Sequence, residues 1–374
     1  MKKKTVAMLM TVAMAATLMT GCGSQAETTQ STEETTTEDT AAETDTDASE
    51  EETTEESTDT AAAGATYKVG IVQYVDDASL NQIEAAIEAE LDAKAAELGV
   101  TFDYTDYTYN GQADATTLNQ IATELIASEV DVIVPIATPT AMIMQNATED
   151  NQIPVVFSAV SDPVSAGLVN SLEEPGANIT GTSDALNTEA VMDLMFAANP
   201  DITKVGLLYN KSEDSSKAPI EAAIAYCEDK GVEVVEKTGT TNDEISLAAD
   251  ALIASGVDAI FTPTDNTVMT AELAIYEKFI DAGIPHYTGA DSFALNGAFL
   301  GFGVNYEQLG TATADIVADI LVNGADTASY SIVTLDNGIA TVNTETAEAI
   351  GLDYSMFADM CAEVKEITTA EEFE

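Results

Sequence analysis

Three features of this 374-residue sequence predict an α/β fold of two similar lobes, each a parallel sheet flanked by helices, joined by a hinge. The folded part is written twice. Residues 67–73 (YKVGIVQ) return as 203–209 (TKVGLLY), and 125–142 (LIASEVDVIVPIATPTAM) return as 252–269 (LIASGVDAIFTPTDNTVM). Apolar runs of strand length alternate with amphipathic stretches at helical spacing, such as 80–98 and 220–230. Gly99 and Gly231 stand where a left-handed residue would close those two helices. Strands alternating with helices imply parallel pairing through right-handed crossovers, so each copy reads as a Rossmann-like lobe.

The chain begins with Lys2, Lys3 and Lys4, then an apolar run over 6–19, then Thr20-Gly21-Cys22. This is the layout of a secretory signal peptide over 1–21, too short to favour a membrane span. The cysteine after small residues makes it a lipoprotein signal, with lipid expected on Cys22 and a location on the outer face of a cell membrane, of Gram-positive type. Residues 22–65 are almost only Thr, Glu, Ser, Asp, Ala and Gln and carry 14 of the 66 acidic residues. A segment so poor in apolar groups cannot offset its ordering entropy and is expected to be a disordered tether.

The first lobe is expected over 66–182 plus about 303–328, and the second over 183–302 plus about 329–374. Residues 153–160 (IPVVFSAV) and 284–291 (IPHYTGAD) read as matching strands after Ile-Pro, and 306–322 as a helix. The stretches 331–334 and 339–342 read as strands around the Asp336-Asn337-Gly338 turn.

Ligands of open parallel sheets bind beyond the carboxyl ends of the strands, and two such lobes make a hinged clamp. The candidates on the first wall are Gln73, Tyr74, Thr138, Thr140, Ser158 and Val160. On the second they are Asn210, Ser215, Ser216, Thr264, Asp265, Asn266 and Asp291. Aligning the copies sets Thr138 opposite Asp265 and Val160 opposite Asp291, so one wall offers hydroxyls and helix N-termini and the other carboxylates. That pairing suits a zwitterionic α-amino acid. Its ammonium is expected at Asp291 or Asp265, and its carboxylate at Thr138, neighbouring amides and Ser215 or Ser216. Thr138, Asp265 and Asn266 equally fit ordinary helix caps. Tyr74, Tyr209, Phe157 and Phe302 could supply an aromatic wall, though Phe157 and Tyr209 also fit the core.

Composition narrows the function. The formal net charge is −54, every basic residue is a lysine, His286 is the single histidine and there are three cysteines. So acidic a surface repels phosphate backbones, which excludes nucleic acid as a partner. One histidine and scattered cysteines cannot build a zinc cluster. His286 reads as a buried structural residue, and Cys227 and Cys361, each placed in a helix, have no basic neighbour to activate them. No phosphate or dinucleotide fingerprint occurs. No enzyme, cofactor or metal is therefore expected. Without arginine, a ligand carboxylate must be held by amides and hydroxyls.

Over 67–323 the sequence resembles the lipid-anchored substrate-binding proteins of ABC importers of the tryptophan/tyrosine-type group. The likeness rests on the runs from Asn110 (NGQAD), Pro135 (PIATP), Phe157 (FSAVSDPVSAGLV), Asn178 (NITGTSD), Tyr209 (YNKSEDSS), Pro263 (PTDN) and Gly301 (GFGVNYEQLG). The resemblance implies the type I periplasmic-binding-protein fold, an ABC permease with its ATPase as partners, and delivery of a small molecule, often an aromatic amino acid. Val75-Asp76-Asp77-Ala78-Ser79 stands where that family commonly has His-Pro-Ala, and Asp214 and Asn305 stand where it commonly has Asn and Asp. A ligand-sensing lipoprotein, or a sugar or nucleoside ligand, remains an alternative on the same fold.

Overall fold

The computed structural model describes residues 64–335, 338–370 and 372–373. The signal segment, Cys22, all but the end of the acidic tether, and Asp336 and Asn337 lie outside the described residues.

The chain opens with β1 (Thr66–Gln73), whose last five residues are fully buried, and α1 (Ala78–Leu98). Asp77 starts α1 by accepting hydrogen bonds from the Ser79 and Leu80 amides, and Gly99 ends it at φ 69°. Then follow β2 (Thr101–Asp103), β3 (Thr108–Asn110), α2 (Ala115–Ala127), β4 (Val132–Ile136), α3 (Thr138–Thr148), β5 (Val155–Phe157) and β6 (Ile179–Ser183). The second copy runs through α4 (Thr188–Ala198), β7 (Lys204–Tyr209), α5 (Asp214–Lys230), β8 (Glu233–Thr238), α6 (Asn242–Ala254), β9 (Ala259–Thr262), α7 (Asn266–Ala282), β10 (His286–Thr288), α8 (Asp291–Leu295) and β11 (Leu300–Gly303). The chain closes with α9 (Tyr306–Leu321), β12 (Val333–Thr334), β13 (Ile339–Asn343), α10 (Thr344–Ile350) and β14 (Glu363–Ile367).

The strands form two sheets. The first has the order β12-β6-β5-β4-β1-β2, with β3 also beside β1, and all its pairings are parallel. The second runs β14-β13-β11-β10-β9-β7-β8, parallel except where β11 meets β13. The chain crosses between sheets after β6, after β11 and after β12, so the hinge has three strands of backbone.

Two details differ from the sequence expectation. The segments read as one hairpin belong to different sheets: β12 pairs with β6, and β13 pairs with β11 and β14. A polar turn signal marks a reversal but cannot say which edge captures each flank. The chain therefore leaves the first sheet after residue 334, whereas the second lobe was expected to take over near 329. Cys361 follows a short 3-10 turn (Ser355–Asp359) rather than lying in a helix. Cys227 and Cys361 are both free thiols, and burial pushes Cys227 up to about 11.

His286 is buried, its Nδ1 3.0 Å from Glu272 Oε1 and its Nε2 2.8 Å from Thr262 Oγ1, which is a structural role. Packing of α9 on α1 fixes the first lobe against the hinge. The two backbones approach at Gly310, where a Cβ would sit 2.5 Å from the Ile83 carbonyl oxygen and 2.8 Å from Ala86 Cβ. Gly310→Ala must push the helices apart and is expected to cost about 1–3 kcal/mol. A chemical-denaturation midpoint equal to that of the parent protein would refute this reading of the contact.

Candidate functional site

A narrow cavity of about 30 Å³ lies between the lobes, at the carboxyl ends of the central strands. Its polar wall combines Ser79, Thr138 and Ser161 with Asp184 from the first hinge crossing, and Ser215, Thr264 and Asn266 from the second lobe. Leu80, Ala137, Ala159, Met269, Ala290 and Tyr306 make the apolar wall, and no lysine lines it.

Five long helices, α1, α3, α5, α7 and α9, present their N-terminal turns here, and they are not treated alike; α9 is capped by Asn305. α1 is capped by Asp77. α7 is capped twice: Asp265 Oδ1 accepts from the Val268 amide at 3.0 Å, and Glu213 accepts from the Asn266 and Thr267 amides at 2.9 and 2.8 Å. Glu213 is itself the residue at the N-cap of α5, so its carboxylate is diverted to the neighbouring helix and α5 starts without a side-chain cap. α3 also starts without one, after Ala137, and has Pro139 in its first turn. Among the described helices of eight or more residues, α3 and α5 are the two without a side-chain cap, and both border the cavity. Each also carries in its first turn a buried hydroxyl with no hydrogen-bond partner in the protein, Thr140 Oγ1 and Ser215 Oγ.

The backbone is bent to present these ends. Ala137 has φ 78° and Ala159 φ 55°, both in the region an L side chain seldom adopts. Residues held so cost about 1–3 kcal/mol each and persist where the surroundings over-determine them. Here the Ala137 amide donates to the Ser158 carbonyl at 3.0 Å, which ties the turn before α3 to the end of β5.

Asp184 supplies the opposite charge. Its Oδ1 accepts from Ser161 Oγ at 3.0 Å, and that hydroxyl is 2.9 Å from Thr264 Oγ1 across the cleft. Burial pushes the Asp184 carboxyl from its ordinary 3.8 up to about 6, against the pull of the Ser161 hydrogen bond. Tyr306, at the second hinge crossing, is driven well above its ordinary value by burial and then by Asp184, Asp291 and Asp77. The site is therefore a negative point at the hinge facing two positive helix ends.

The structure gathers four of the expected residues around the cavity: Thr138, Ser215, Thr264 and Asn266. The others lie outside its wall. Gln73 donates to Asn81 Oδ1 at 2.7 Å, and Tyr74 is half-buried among apolar neighbours. Thr140 is buried in α3, Ser158 is hydrogen-bonded to Thr182 and Thr313, and Val160 packs with Phe157 in the core. The Asn210 amide and Ser216 Oγ both donate to Asp265 Oδ2, at 2.6 and 2.7 Å. With both oxygens spent inside its own lobe, Asp265 is a cap and a brace, not a free charge. Asp291 is the first residue of α8, a helix too short to be read from sequence, and its carboxylate bonds to Ser79 and Gln82. Phe157, Tyr209 and Phe302 are core residues.

Sequence reasoning missed Ser79, Ser161, Asp184 and Tyr306. Asp184 directly follows β6, so the strand-end rule would have found it, but β6 lies outside the matched segments of the two copies. Among the described residues, no group of three His, Cys, Asp or Glu could hold a metal ion. No helix there is long and apolar enough to cross a membrane.

Residues 68–358 match the family model described as ABC transporter substrate binding protein. The chain belongs to the ABC transporter substrate-binding proteins. This is a class of extracytoplasmic binding proteins rather than enzymes. A curated relative, the tyrosine-binding protein of Clostridioides difficile (strain R20291), is 32% identical over 286 residues, covering 76% of this chain and 81% of the relative. Among solved structures, an ABC domain from Streptococcus pneumonia in complex with L-Trp superposes with a TM-score of 0.74 at 28% identity, over 80% of this chain and all of that one. The ligand-free, open form of a Clostridium difficile substrate-binding protein with adhesive properties gives 0.61 at 30% identity, over 81% of this chain and all of that one. The fold is thus that of the type I periplasmic binding proteins, with two Rossmann-like lobes as the repeat implied.

Buried carboxylates without cations give this binding protein a distinctive pH response. Burial raises Asp77 and Glu84 to about 7, as it raises Asp184 to about 6. Between pH 7.5 and 5 the folded chain therefore takes up protons that the unfolded chain, with ordinary carboxylates, does not, so stability rises as pH falls. The ligand-free melting temperature is expected to be higher at pH 5.5 than at pH 7.5. Differential scanning calorimetry checks this, and a fall on acidification would contradict it.

Proposed function

We propose that this substrate-binding protein captures a zwitterionic aromatic amino acid of the tyrosine or tryptophan kind and delivers it to an ABC permease driven by its ATPase. The observation that carries the reading is the pair of uncapped helix ends, α3 and α5, facing one buried carboxylate across the cavity. Free amides at the two helix ends, with Thr138 and the Ser215 hydroxyl, hold the ligand carboxylate in place of an arginine. Asp184, oriented by Ser161, meets the ammonium. Leu80, Met269 and Tyr306 receive the side chain, whose burial contributes the apolar part of the affinity.

The relatives' ligands, tyrosine and L-Trp, support the same class. In this reading the lipid on Cys22 anchors the chain outside the membrane, and the acidic segment keeps the lobes clear of it. Neighbours that bind inositol or arabinose are 15% identical and share the fold alone.

The test is isothermal titration of tyrosine and tryptophan, with a sugar and a nucleoside as controls, against the parent chain and Asp184→Asn. Truncating one partner of a buried charge pair costs about 2–5 kcal/mol of affinity. That loss is expected for both amino acids. Unchanged affinity in Asp184→Asn would remove the ammonium role, and heat evolved only with the sugar or nucleoside would remove the amino-acid reading.

A further inference from the structure

Asp291 was the sequence's first choice to meet a ligand ammonium, yet its carboxylate looks elsewhere. Oδ1 accepts from Ser79 Oγ at 2.6 Å, and Oδ2 lies 3.4 Å from Gln82 Nε2. The Ser79 hydroxyl in turn accepts from the Ser292 amide at 3.1 Å. Asp291 and Ser292 belong to α8 of the second lobe, whereas Ser79 and Gln82 belong to the first turns of α1 in the first. Both side-chain hydrogen-bond partners of Asp291 therefore sit across the cleft, and Ser79 is bonded in both directions to the opposite lobe. The other charged and titratable groups facing Asp291 are Asp77 ahead of α1, Tyr306 at the start of α9, and Lys365 on β14.

This network can exist only while the lobes are together. Opening the hinge separates Ser79 and Gln82 from Asp291 and returns the carboxylate to water, and none of the bonds involves a ligand. Ser79 borders the cavity but Asp291 does not.

We infer that Asp291 and Ser79 form an interlobe latch, a positioning pair that populates the closed form before a ligand arrives and raises affinity for all ligands by one common factor. This rests on the amino-acid reading of the cavity only for the choice of probe. The dissociation constant of a ligand that needs the closed form is divided by the fraction of chains in that form, so weakening the latch weakens each ligand alike. A bond to a charged group removed from the closed form lowers that fraction on the order of tenfold.

Two measurements on the full chain test the latch. Hydrogen exchange of the Ser292 amide in the ligand-free protein reads closure directly, because its partner is on the other lobe. Exchange is expected to be slowed in the parent and about tenfold faster in Asp291→Asn and in Ser79→Ala, which attack the latch from opposite lobes. Equal exchange in parent and variants would overturn the proposal, whatever ligand the cavity takes. The second measurement compares tyrosine with 3-(4-hydroxyphenyl)propionate, which has the carboxylate and ring but no amine. Asp291→Asn is expected to weaken both by the same factor and leave their ratio unchanged. A loss confined to tyrosine would assign Asp291 to the ammonium and overturn the latch. If the parent binds neither compound, the amino-acid reading fails while the exchange result on the latch still stands.

Discussion

Helix N-termini left without side-chain caps inside a protein are expensive, because their amides have neither water nor a partner. Among the described helices of eight or more residues the expense is confined to α3 and α5, and both border the same cavity. The rest of the site is arranged around that pair. The strained turn at Ala137 aims α3 inward, and Glu213, placed to cap α5, spends its carboxylate on α7 instead. Capping α1 and α7 with carboxylates while leaving α3 and α5 open concentrates the positive field where an end from each lobe meets the cavity.

The absence of arginine gives this arrangement its purpose. A guanidinium would bind a carboxylate bidentately and bring its own charge; here that charge comes from backbone dipoles. The counterpart is an acidic interior with few cations, in which Asp77, Asp184 and Asp265 are all raised, chiefly by burial and in Asp265 next by Glu213. In the proposed binding mode an ammonium entering beside Asp184 replaces a missing positive charge, so that ligand binding and relief of carboxylate desolvation are one event. The bonds Ser161 to Thr264 and Ser79 to Asp291 run between the lobes and are made only when the cleft is closed.

Much of the fold was legible because it is periodic. Repeated strand–helix units, Gly99 and Gly231 as helix ends, and the strand-end rule led to two sheets, a cleft and four of its lining residues. Failures came where a side chain had more than one possible partner. Asp265 and Asp291 are both strand-end carboxylates, but the first is consumed by Val268, Asn210 and Ser216, and the second by Ser79. No spacing in sequence reveals such three-dimensional pairings. Asp184 and Tyr306 were missed because hinge crossings have no counterpart in the repeat, and the expected hairpin dissolved because its two flanks were claimed by different sheets.

In the proposed binding mode the two open helix ends recognise a carboxylate. Calorimetric titration with tyrosine and with tyramine, which differ only in that group, addresses it most directly. Tyrosine is expected to bind, and tyramine, although it keeps the ring and the ammonium for Asp184, to bind at least a hundredfold more weakly, since about 1.4 kcal/mol corresponds to each tenfold step. Tyramine binding as tightly as tyrosine would contradict that mode.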